Sequence, residues 1–235
     1  MKLNKPLIAA SVGWLGMLLT TFSGCGTNIE PQQSVAAMPE SAPQNPSDND
    51  NTKNAETGEI VLAGGCFWCT EAVFEELKGV KTVDSGYSGG NEGDASYTLV
   101  SAGLTNHAES IRVRYNPEQI QLEQILEVFF LVAHDPTQKN RQGADIGKHY
   151  RSAVFYSSAA QKQAVENFIK KLETKKVFDA PIVTTLEPLK GFYVAEEYHQ
   201  NYARLQSSNP YIQCVAMPKL AKVREKYKDW LVDEQ

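Results

Sequence analysis

A buried-strand pattern at residues 59–63 runs directly into a Gly-Gly pair, and this feature constrains the fold most. A short apolar run bounded by glycines is typical of a core strand, and the glycines allow a tight turn after it. Helical periodicity begins at Phe67, with an apolar face formed by Cys69, Val73 and Leu77. Glu71 lies off that face. The sequence therefore predicts a strand, a tight turn and a helix, with Cys66 at the turn.

Strand and helix patterns alternate irregularly along the rest of the chain. Two-residue alternation or short apolar runs predict strands at residues 80–88, 111–115, 152–156 and 182–186. Three- to four-residue apolar spacing predicts helices at residues 122–129, 165–172 and 195–205. Connections of helical length favour one α+β sandwich, with helices packed on a single mixed sheet.

Composition excludes several classes of protein. At 235 residues the chain is long enough for one or two domains, and its net charge of -5 gives no electrostatic basis for binding nucleic acid. Four cysteines are too few, and too unevenly placed, for a disulfide-stapled scaffold. They are Cys25, Cys66, Cys69 and Cys214, and their distribution indicates separate roles.

Residues 1–24 have the pattern of a bacterial export signal. Two lysines precede an uncharged, mostly apolar stretch that is shorter than the ~20 residues of a comfortable membrane span. The stretch ends in Phe-Ser-Gly-Cys, which resembles a lipoprotein box and predicts acylation of Cys25; the alternative is an ordinary cleaved signal or a short anchor. Residues 25–57 are polar and aperiodic, so we expect a lipid-anchored, disordered linker before a folded domain at residues 58–235. These features predict an extracytoplasmic protein, in the periplasm or at the cell surface, anchored to a membrane.

Cys66 is the first candidate for a reactive group, because it precedes a predicted helix. A helix N-terminus presents unpaired N–H groups and a partial positive charge, both of which favour a thiolate. The dipole contributes about 0.3–1 kcal/mol, so we expect it to lower the pKa of the thiol by about one unit. Phe67 and Trp68 can line a pocket beside the sulfur; the alternative is that all three are core residues.

Glu109 is the second candidate, within a cluster that also holds Tyr97 and His107. It has the same parity as the apolar residues of the predicted strand 111–115, so its side chain points to their face. Burial there would raise the pKa of the carboxyl and suit it to general acid catalysis, unless the strand frays and the carboxyl is solvated. The polar, glycine-containing loop at residues 141–151 is a further candidate for a pocket wall.

Four motifs occur in a fixed order between residues 58 and 218. They are Gly-Cys-Phe-Trp at 65–68; Tyr97 with His-Ala-Glu at 107–109; His-Asp-Pro-Thr-Gln at 134–138 with Arg-Gln-Gly at 141–143; and Asp-Ile-Gly at 145–147 with Tyr-Arg-Ser at 150–152. The stretch 193–200 also fits the same pattern. This arrangement resembles the A-type peptide methionine sulfoxide reductases, and it is far more specific than a Cys-x-x-Cys pair alone.

The resemblance implies a ferredoxin-like α+β sandwich with a mixed sheet and added helices and loops. It implies reduction of the S epimer of methionine sulfoxide, free or in proteins, and here the repair of oxidised extracytoplasmic proteins. Cys66 would attack the sulfoxide sulfur and become a sulfenic acid, while Glu109 protonates the oxygen. The resemblance implies that Phe67 and Trp68 hold the methyl group, and that Tyr97, Tyr150 and Asp145 form hydrogen bonds around the oxygen. No metal or organic cofactor is expected.

Two cysteines are candidates for resolving the sulfenic acid as a disulfide, which a thioredoxin-like protein or a dithiol then reduces. The resemblance implies Cys214, at the C-terminal place of a resolving cysteine, although the tail after it lacks the family's common glycines. Cys69 is the alternative. Within a helix its Cβ would lie about 5–6 Å from that of Cys66, beyond the roughly 3.5–4.5 Å of a disulfide, unless Cys66 caps the helix. We expect Cys69 to pack on the core side of its helix beside Val73 rather than to resolve the sulfenic acid.

Three other functions are open on the residues alone. In a thioredoxin-like oxidoreductase, Cys66 and Cys69 would form the reactive dithiol. Against this function, two bulky residues, Phe67 and Trp68, separate the cysteines, and no regular βαβ pattern surrounds the pair. A zinc site would combine cysteines with one of four scattered histidines, each of which is expected to be structural. A non-enzymatic lipoprotein binder would make the aligned Cys, Glu and Tyr residues coincidental.

Overall fold

The structure is a computed structural model that describes residues 57–232. Its strands, β1 to β8, are Gly58–Gly64, Val80–Ser88, Ala108–Tyr115, Arg141–Gln142, Asp145–Ile146, Ser152–Tyr156, Thr185–Pro188 and Phe192–Val194. Its helices, α1 to α6, are Phe67–Glu75, Tyr97–Ser101, Leu122–Val128, Ala159–Thr174, Tyr202–Leu205 and Met217–Lys226. Single π turns follow α3 and precede α6, at Phe129–Ala133 and Ile212–Ala216. Short 3₁₀ turns are Glu92–Asp94, Lys148–Tyr150, Glu197–His199 and Lys228–Trp230.

Six strands form one mixed sheet in the order β7-β6-β1-β3-β2-β8, while β4 and β5 form a separate two-stranded hairpin. Strands β6 and β7 pair in parallel, and the other pairs of the large sheet are antiparallel. The central order β6-β1-β3-β2, with α1 after β1 and α3 after β3, is the ferredoxin-like arrangement. The predicted α+β class and mixed sheet are confirmed.

Both faces of the central strand β1 are covered. Ile60 and Leu62 belong to the main core, which also contains the buried side chains of α1. Val61 and Ala63 belong to a smaller cluster, against which Phe192 packs. Because each face of β1 is buried, its sequence is a continuous apolar run rather than an alternation of apolar and polar residues.

Two elements of the C-terminal third differ from the sequence prediction. The last predicted strand, 182–186, overlaps β7 at Thr185–Pro188 only at its end. The predicted helix 195–205 is instead a 3₁₀ turn followed by the four-residue helix α5. Asn201 separates the two with a φ of +56°, which interrupts helical geometry. Side chains of this segment bond to β2 and to the start of α2, and these tertiary contacts outweigh the helical spacing.

Glu71 is buried, with only 1% of its surface exposed, although the helical pattern placed it off the apolar face of α1. Helix α5 packs against α1, and the backbone of Asn201 lies beside the Glu71 carboxyl. The cover therefore comes from a segment far along the chain, which no local pattern in α1 indicates.

The predicted export signal, Cys25 and all but the last residue of the predicted linker lie outside the described residues. Strand β1 begins at Gly58, directly after that predicted linker. Within residues 57–232, each helix is too short or too polar to cross a membrane.

Candidate active site

Cys66 caps the N-terminus of α1. Its φ of -56° and ψ of 123° are not helical, and its carbonyl accepts hydrogen bonds from the N–H groups of Cys69 at 3.2 Å and Thr70 at 3.3 Å. Gly65 makes the turn into the helix with a φ of +90°, and a Cβ there would lie 2.5 Å from Cγ of Gln142. Both the backbone and the loop that covers it therefore require glycine at this position.

The sulfurs of Cys66 and Cys69 lie within hydrogen-bonding reach of each other. Burial raises the pKa of the Cys66 thiol well above its usual value. The expected lowering by the helix N-terminus is therefore wrong for the unliganded protein, because Cys66 is only 6% exposed and desolvation outweighs the dipole. Cys69 is fully buried, and its hydrogen bond with Cys66 lowers its pKa. Cys66 rests as a neutral thiol.

Glu109 approaches the same helix start from β3. It is 2% exposed, and its Oε2 accepts a hydrogen bond from the backbone N–H of Phe67 at 3.1 Å. Burial raises the pKa of Glu109 well above its usual value, and the neighbouring Cys66 sulfur raises it further. Burial therefore favours the protonated form of Glu109, which is the form able to donate a proton.

Phe67 and Trp68 form an aromatic wall whose position is set by the C-terminal part of the chain. Nε1 of Trp68 donates to Nδ1 of His199 at 3.1 Å, and its ring stacks on that of Tyr202 with centroids 3.8 Å apart. The His199 ring also lies 5.0 Å from the ring of Phe67 and 4.4 Å from that of Tyr97. Burial lowers the pKa of His199 to about 4, so its neutral ring can accept the indole N–H.

These groups enclose a cavity of about 70 Å³. Its lining is Cys66, Phe67, Trp68, Tyr97, Glu109, Asp145, Tyr150 and Tyr211. All but Tyr211 are residues for which the sequence predicts a catalytic or substrate-binding role. Burial raises the pKa of Tyr97 to about 12, and raises that of Tyr150 as well, so both phenols remain protonated donors. A thiol, a neutral carboxylic acid and two phenols thus face one small space.

A second cavity, of about 460 Å³, also borders Cys66. Cys66 and Asp145 line both cavities. Cys214, in the π turn before α6, is exposed on the wall of the larger cavity together with Lys219 and Lys222. Of the two candidate resolving cysteines, Cys69 is near enough to Cys66 to shift the pKa of its thiol, and Cys214 lies on the wall of the larger cavity.

Two further side chains of the site lie outside the sequence predictions. Glu196 accepts hydrogen bonds from the backbone N–H of Tyr97 at 2.9 Å and from the hydroxyl of Tyr87 at 2.8 Å, which ties α2 to β2. Tyr211 donates its hydroxyl hydrogen to Asp145 at 2.6 Å and interacts with the sulfurs of the two cysteines of α1. Glu196 lies in the family-like stretch at residues 193–200, but no local sequence pattern identifies the hydrogen-bond partners of Glu196 or of Tyr211.

Two of the buried histidines, His107 and His134, make hydrogen bonds that suit structural roles. Nε2 of His107 lies 2.9 Å from the carbonyl oxygen of Asn91. His134 bridges the carbonyl of Phe129 at 2.8 Å and Oγ of Ser152 at 2.6 Å, and burial lowers its pKa to about 3. Within residues 57–232, no group of three or more His, Cys, Asp or Glu side chains is placed to hold a metal ion.

Comparisons with known proteins agree with this geometry. The sequence profile of the peptide methionine sulfoxide reductase family matches residues 58–231. The chain belongs to this family. It is 48% identical over 175 residues to peptide methionine sulfoxide reductase MsrA 2 of Synechocystis sp., covering 74% of this chain and 82% of that protein. It is 46% identical over 196 residues to the MsrA of Deinococcus radiodurans, covering 81% and 95% respectively.

Solved structures of two family members share the fold of this reductase. Reduced Mxr1 from Saccharomyces cerevisiae aligns with a TM-score of 0.61 at 35% identity, covering 67% of this chain and 90% of that one. Methionine sulfoxide reductase A of Corynebacterium diphtheriae aligns with a TM-score of 0.56 at 32% identity, covering 64% and 76%. The chain is an oxidoreductase of this family, and both cavities at Cys66 lie within the matched residues.

Proposed function

We propose that this reductase converts the S epimer of methionine sulfoxide, free or in proteins, to methionine by thiol chemistry at Cys66. One observation carries the proposal: the Cys66 thiol and the neutral Glu109 carboxyl line the same cavity of about 70 Å³. A sulfoxide sulfur becomes electrophilic as its oxygen gains a proton, so a nucleophile and an acid must both reach one S–O group. This cavity supplies both.

The first step oxidises Cys66 and reduces the sulfoxide. The Cys66 sulfur bonds to the sulfoxide sulfur while Glu109 transfers its proton to the oxygen. The substrate S–O bond then breaks as the oxygen passes to Cys66, and methionine leaves. Cys66 remains as a sulfenic acid, one step up the oxidation ladder of cysteine.

The cavity walls suit a methylsulfinyl group. Phe67 and Trp68 offer an apolar surface to the methyl group, and the hydroxyls of Tyr97 and Tyr150 are donors for the oxygen. The cavity of about 70 Å³ is much smaller than the neighbouring one of about 460 Å³. Its size therefore suits a small polar head with one methyl group.

We infer that Cys69, rather than Cys214, resolves the sulfenic acid. Because Cys66 caps α1, the helical Cβ separation that disfavours this disulfide does not apply, and the two thiols lie near enough to shift each other's pKa. The Cys69 sulfur bonds to that of Cys66, the S–O bond breaks, and water leaves with the Cys69 proton. A thioredoxin-like protein or a dithiol then supplies two electrons to the disulfide, and the cycle uses no metal or organic cofactor.

Oxidised extracytoplasmic proteins are the proposed clients, with the enzyme held at a membrane by a lipid on Cys25. Support comes from the export-signal pattern at residues 1–24, the lipoprotein-like Phe-Ser-Gly-Cys and the polar linker at 25–57. Several acyl chains on one cysteine hold firmly, at about 0.8 kcal/mol per buried CH₂. The wild type should therefore sediment with membranes, and Cys25→Ala should not be processed as a lipoprotein. An unmodified Cys25 thiol in the exported protein would contradict the anchor.

Mass spectrometry after one equivalent of methionine sulfoxide tests the cysteine assignments. We expect the reduced protein to acquire a Cys66–Cys69 disulfide, and Cys214→Ser to acquire the same one. Cys69→Ser should instead accumulate the Cys66 sulfenic acid, and Cys66→Ser should lose turnover because a hydroxyl is a far weaker nucleophile. A first-formed Cys66–Cys214 disulfide would assign resolution to Cys214. Turnover by Cys66→Ser within tenfold of the parent would exclude Cys66 as nucleophile.

A dithiol oxidoreductase is the second candidate function, because one cysteine caps a helix and another follows three residues later, near enough to shift the pKa of the first. The enclosed acid and aromatic wall have no use in that reaction. Reduction of insulin disulfides without turnover of a methyl sulfoxide would favour it over the proposed function.

A further inference from the structure

The proposed mechanism needs a group that accepts the proton of the buried Cys66 thiol. Cys66 rests as a neutral thiol, because burial raises its pKa. Glu109 cannot take the thiol proton, since it must itself be protonated to act as the acid. Acid and base roles in one site require two groups whose environments differ. Another group beside the sulfur has to accept the proton.

Tyr211 connects the sulfur to a carboxylate. Its hydroxyl donates to Oδ2 of Asp145 at 2.6 Å, which leaves the lone pairs of the phenol oxygen available to a donor. The same hydroxyl lies near the sulfurs of Cys66 and Cys69 and lowers the pKa of both thiols, and Tyr211 lines the cavity of about 70 Å³ together with Cys66. The backbone N–H of Tyr211 donates to Oδ1 of Asn209 at 2.8 Å, which fixes the segment that carries the ring. Cys66, Tyr211 and Asp145 thus lie side by side on the wall of one cavity, with the Tyr211 hydroxyl between the sulfur and the carboxylate to which it is hydrogen-bonded.

We propose that Tyr211 is a catalytic residue whose hydroxyl relays the Cys66 thiol proton to Asp145, and this rests on the proposed function. The Cys66 S–H gives its proton to the Tyr211 oxygen as the Tyr211 O–H gives its own to Oδ2 of Asp145. The sulfur that has lost its proton forms the bond to the sulfoxide sulfur. Glu109 supplies the separate proton to the sulfoxide oxygen. When methionine has left, water carries the proton held by Asp145 back to Glu109.

Charged and titratable groups surround this path on several elements. Those that face the Cys66 sulfur are Cys69 of α1, Tyr97 of α2, Glu109 of β3, Asp145 of β5, Tyr150 and Tyr211. Those that face Asp145 are Tyr211, Lys219 of α6 and His149. Burial raises the pKa of Asp145, while Tyr211, Lys219 and His149 lower it in opposition. Asp145 is therefore a carboxylate with an increased affinity for a proton.

Tyr211→Phe tests the relay, because it removes the hydroxyl and keeps the ring. We expect the single-turnover rate of sulfoxide reduction to fall about 10²-fold at pH 7, the lower end of general acid–base contributions. The loss should shrink as pH rises, because solvent hydroxide can then remove the thiol proton. Alkylation of Cys66 by iodoacetamide, followed by peptide mass spectrometry, should show its pH midpoint raised by about one unit.

Two further variants separate a relay from a structural role. Asp145→Asn keeps an acceptor for Tyr211 but cannot take a proton, so it should match Tyr211→Phe, and the double variant should be no slower than either. Tyr227→Phe is the matched control, because Tyr227 donates to Oε1 of Glu127 at 3.1 Å and lines neither cavity at Cys66. It should change neither the rate nor the alkylation midpoint.

An alkylation midpoint unchanged in Tyr211→Phe, or a rate loss equal at every pH, would overturn the relay. Additive losses in Tyr211→Phe and Asp145→Asn would do the same. The alkylation measurement needs no sulfoxide. A wild type that is inert toward sulfoxide would therefore reject the proposed function, while a Tyr211-dependent midpoint would still support the proton path.

Discussion

Two buried glutamates, Glu109 and Glu71, differ in what surrounds their carboxyl groups. They are 2% and 1% exposed, and burial raises the pKa of both, that of Glu71 to about 8. Glu109 accepts the N–H of Phe67 and faces the cavity that Cys66 lines. Among the residues that the structure describes, neither oxygen of Glu71 makes a hydrogen bond of normal geometry. Glu71 also lines neither of the two cavities that Cys66 borders.

The comparison shows that a raised pKa marks burial, and that only the surroundings mark function. The backbone of Asn201 and the hydroxyl of Ser85 lie near Glu71 and lower its pKa in part, without reaching it in good hydrogen-bond geometry. A buried polar group without such partners costs free energy. The surroundings of Glu109 therefore suit the proposed acid role, whereas burial of Glu71 without such partners costs stability.

The largest expected effect is that of Glu109→Gln on the rate. The amide keeps the shape and a hydrogen-bond donor but cannot transfer a proton, so the single-turnover rate should fall by about 10²–10⁴-fold. The wild-type rate should fall as pH rises through the pKa of Glu109, because the acid form is lost there, and the variant should lack that limb. Rapid-mixing assays with a methyl sulfoxide across the pH range measure both.

Alkylation of Cys66 provides the control for Glu109→Gln, since the thiol should still react with iodoacetamide. A variant that reduces sulfoxide at the wild-type rate, with an unchanged pH profile, would show that the proton comes from Tyr97, Tyr150 or bound water. The contrast between the two glutamates would then be one of packing alone.

Glu71→Gln should have the second largest effect, on stability rather than rate. The pKa of Glu71 is about 8 in the folded protein against an ordinary value of 4.5. The folded state therefore holds a proton that the unfolded state has lost, so stability falls as pH rises from about 4.5 to 8 and stays low above that. At about 1.4 kcal/mol per unit this cost is on the order of 3 kcal/mol at pH 7. The buried amide of the variant also lacks hydrogen-bond partners, and this offsets part of the effect. We therefore expect Glu71→Gln to raise the free energy of unfolding at pH 7 by about 1–3 kcal/mol.

Urea unfolding at pH 5 and at pH 8 measures the effect of Glu71→Gln. The free energy of unfolding of the variant should exceed that of the wild type only slightly at pH 5 and most at pH 8. The part of the pH-dependent loss of stability that comes from Glu109 should remain in both proteins. An equal gain at the two pH values would mean that Glu71 is not protonated in the folded state. The sulfoxide turnover of the variant should match that of the wild type.

Local patterns predicted the parts of the site that depend on one element. Strand alternation placed Glu109 on the buried face of β3, and the Gly-Gly pair placed Cys66 at the start of a helix. The alternation of strands and helices was enough for the α+β class. The short motifs, matched in order, brought together Tyr97, Asp145 and Tyr150, which come from helix α2, strand β5 and a 3₁₀ turn and line one cavity.

Features made by distant segments could not be predicted in the same way. Trp68 is held by His199, which lies 131 residues along the chain. The pKa of Cys66 depends on tertiary burial, which outweighs the dipole that the helix start alone suggests. Glu71 is covered by the segment at Asn201, where hydrogen bonds to β2 break a helix that the apolar spacing predicts. In each case the decisive partner is remote in sequence.

Tyr87→Phe should have the smallest effect on rate and stability. It tests whether burial, rather than a polar neighbour, sets the pKa of Glu109. Tyr87 lies opposite Glu109 in the pairing of β2 with β3, is fully buried, and donates its hydroxyl to Glu196 at 2.8 Å. Loss of this hydrogen bond should destabilise the protein by about 1 kcal/mol in urea unfolding, because Glu196 is partly exposed and keeps the N–H of Tyr97 as a donor. The pH at which the single-turnover rate declines should stay where it is in the wild type, since burial of Glu109 is unchanged. A shift of this pH by a unit or more would mean that neighbouring hydroxyl groups set the pKa of Glu109. The difference between Glu109 and Glu71 would then come from their hydrogen-bond partners and not from their access to the cavity.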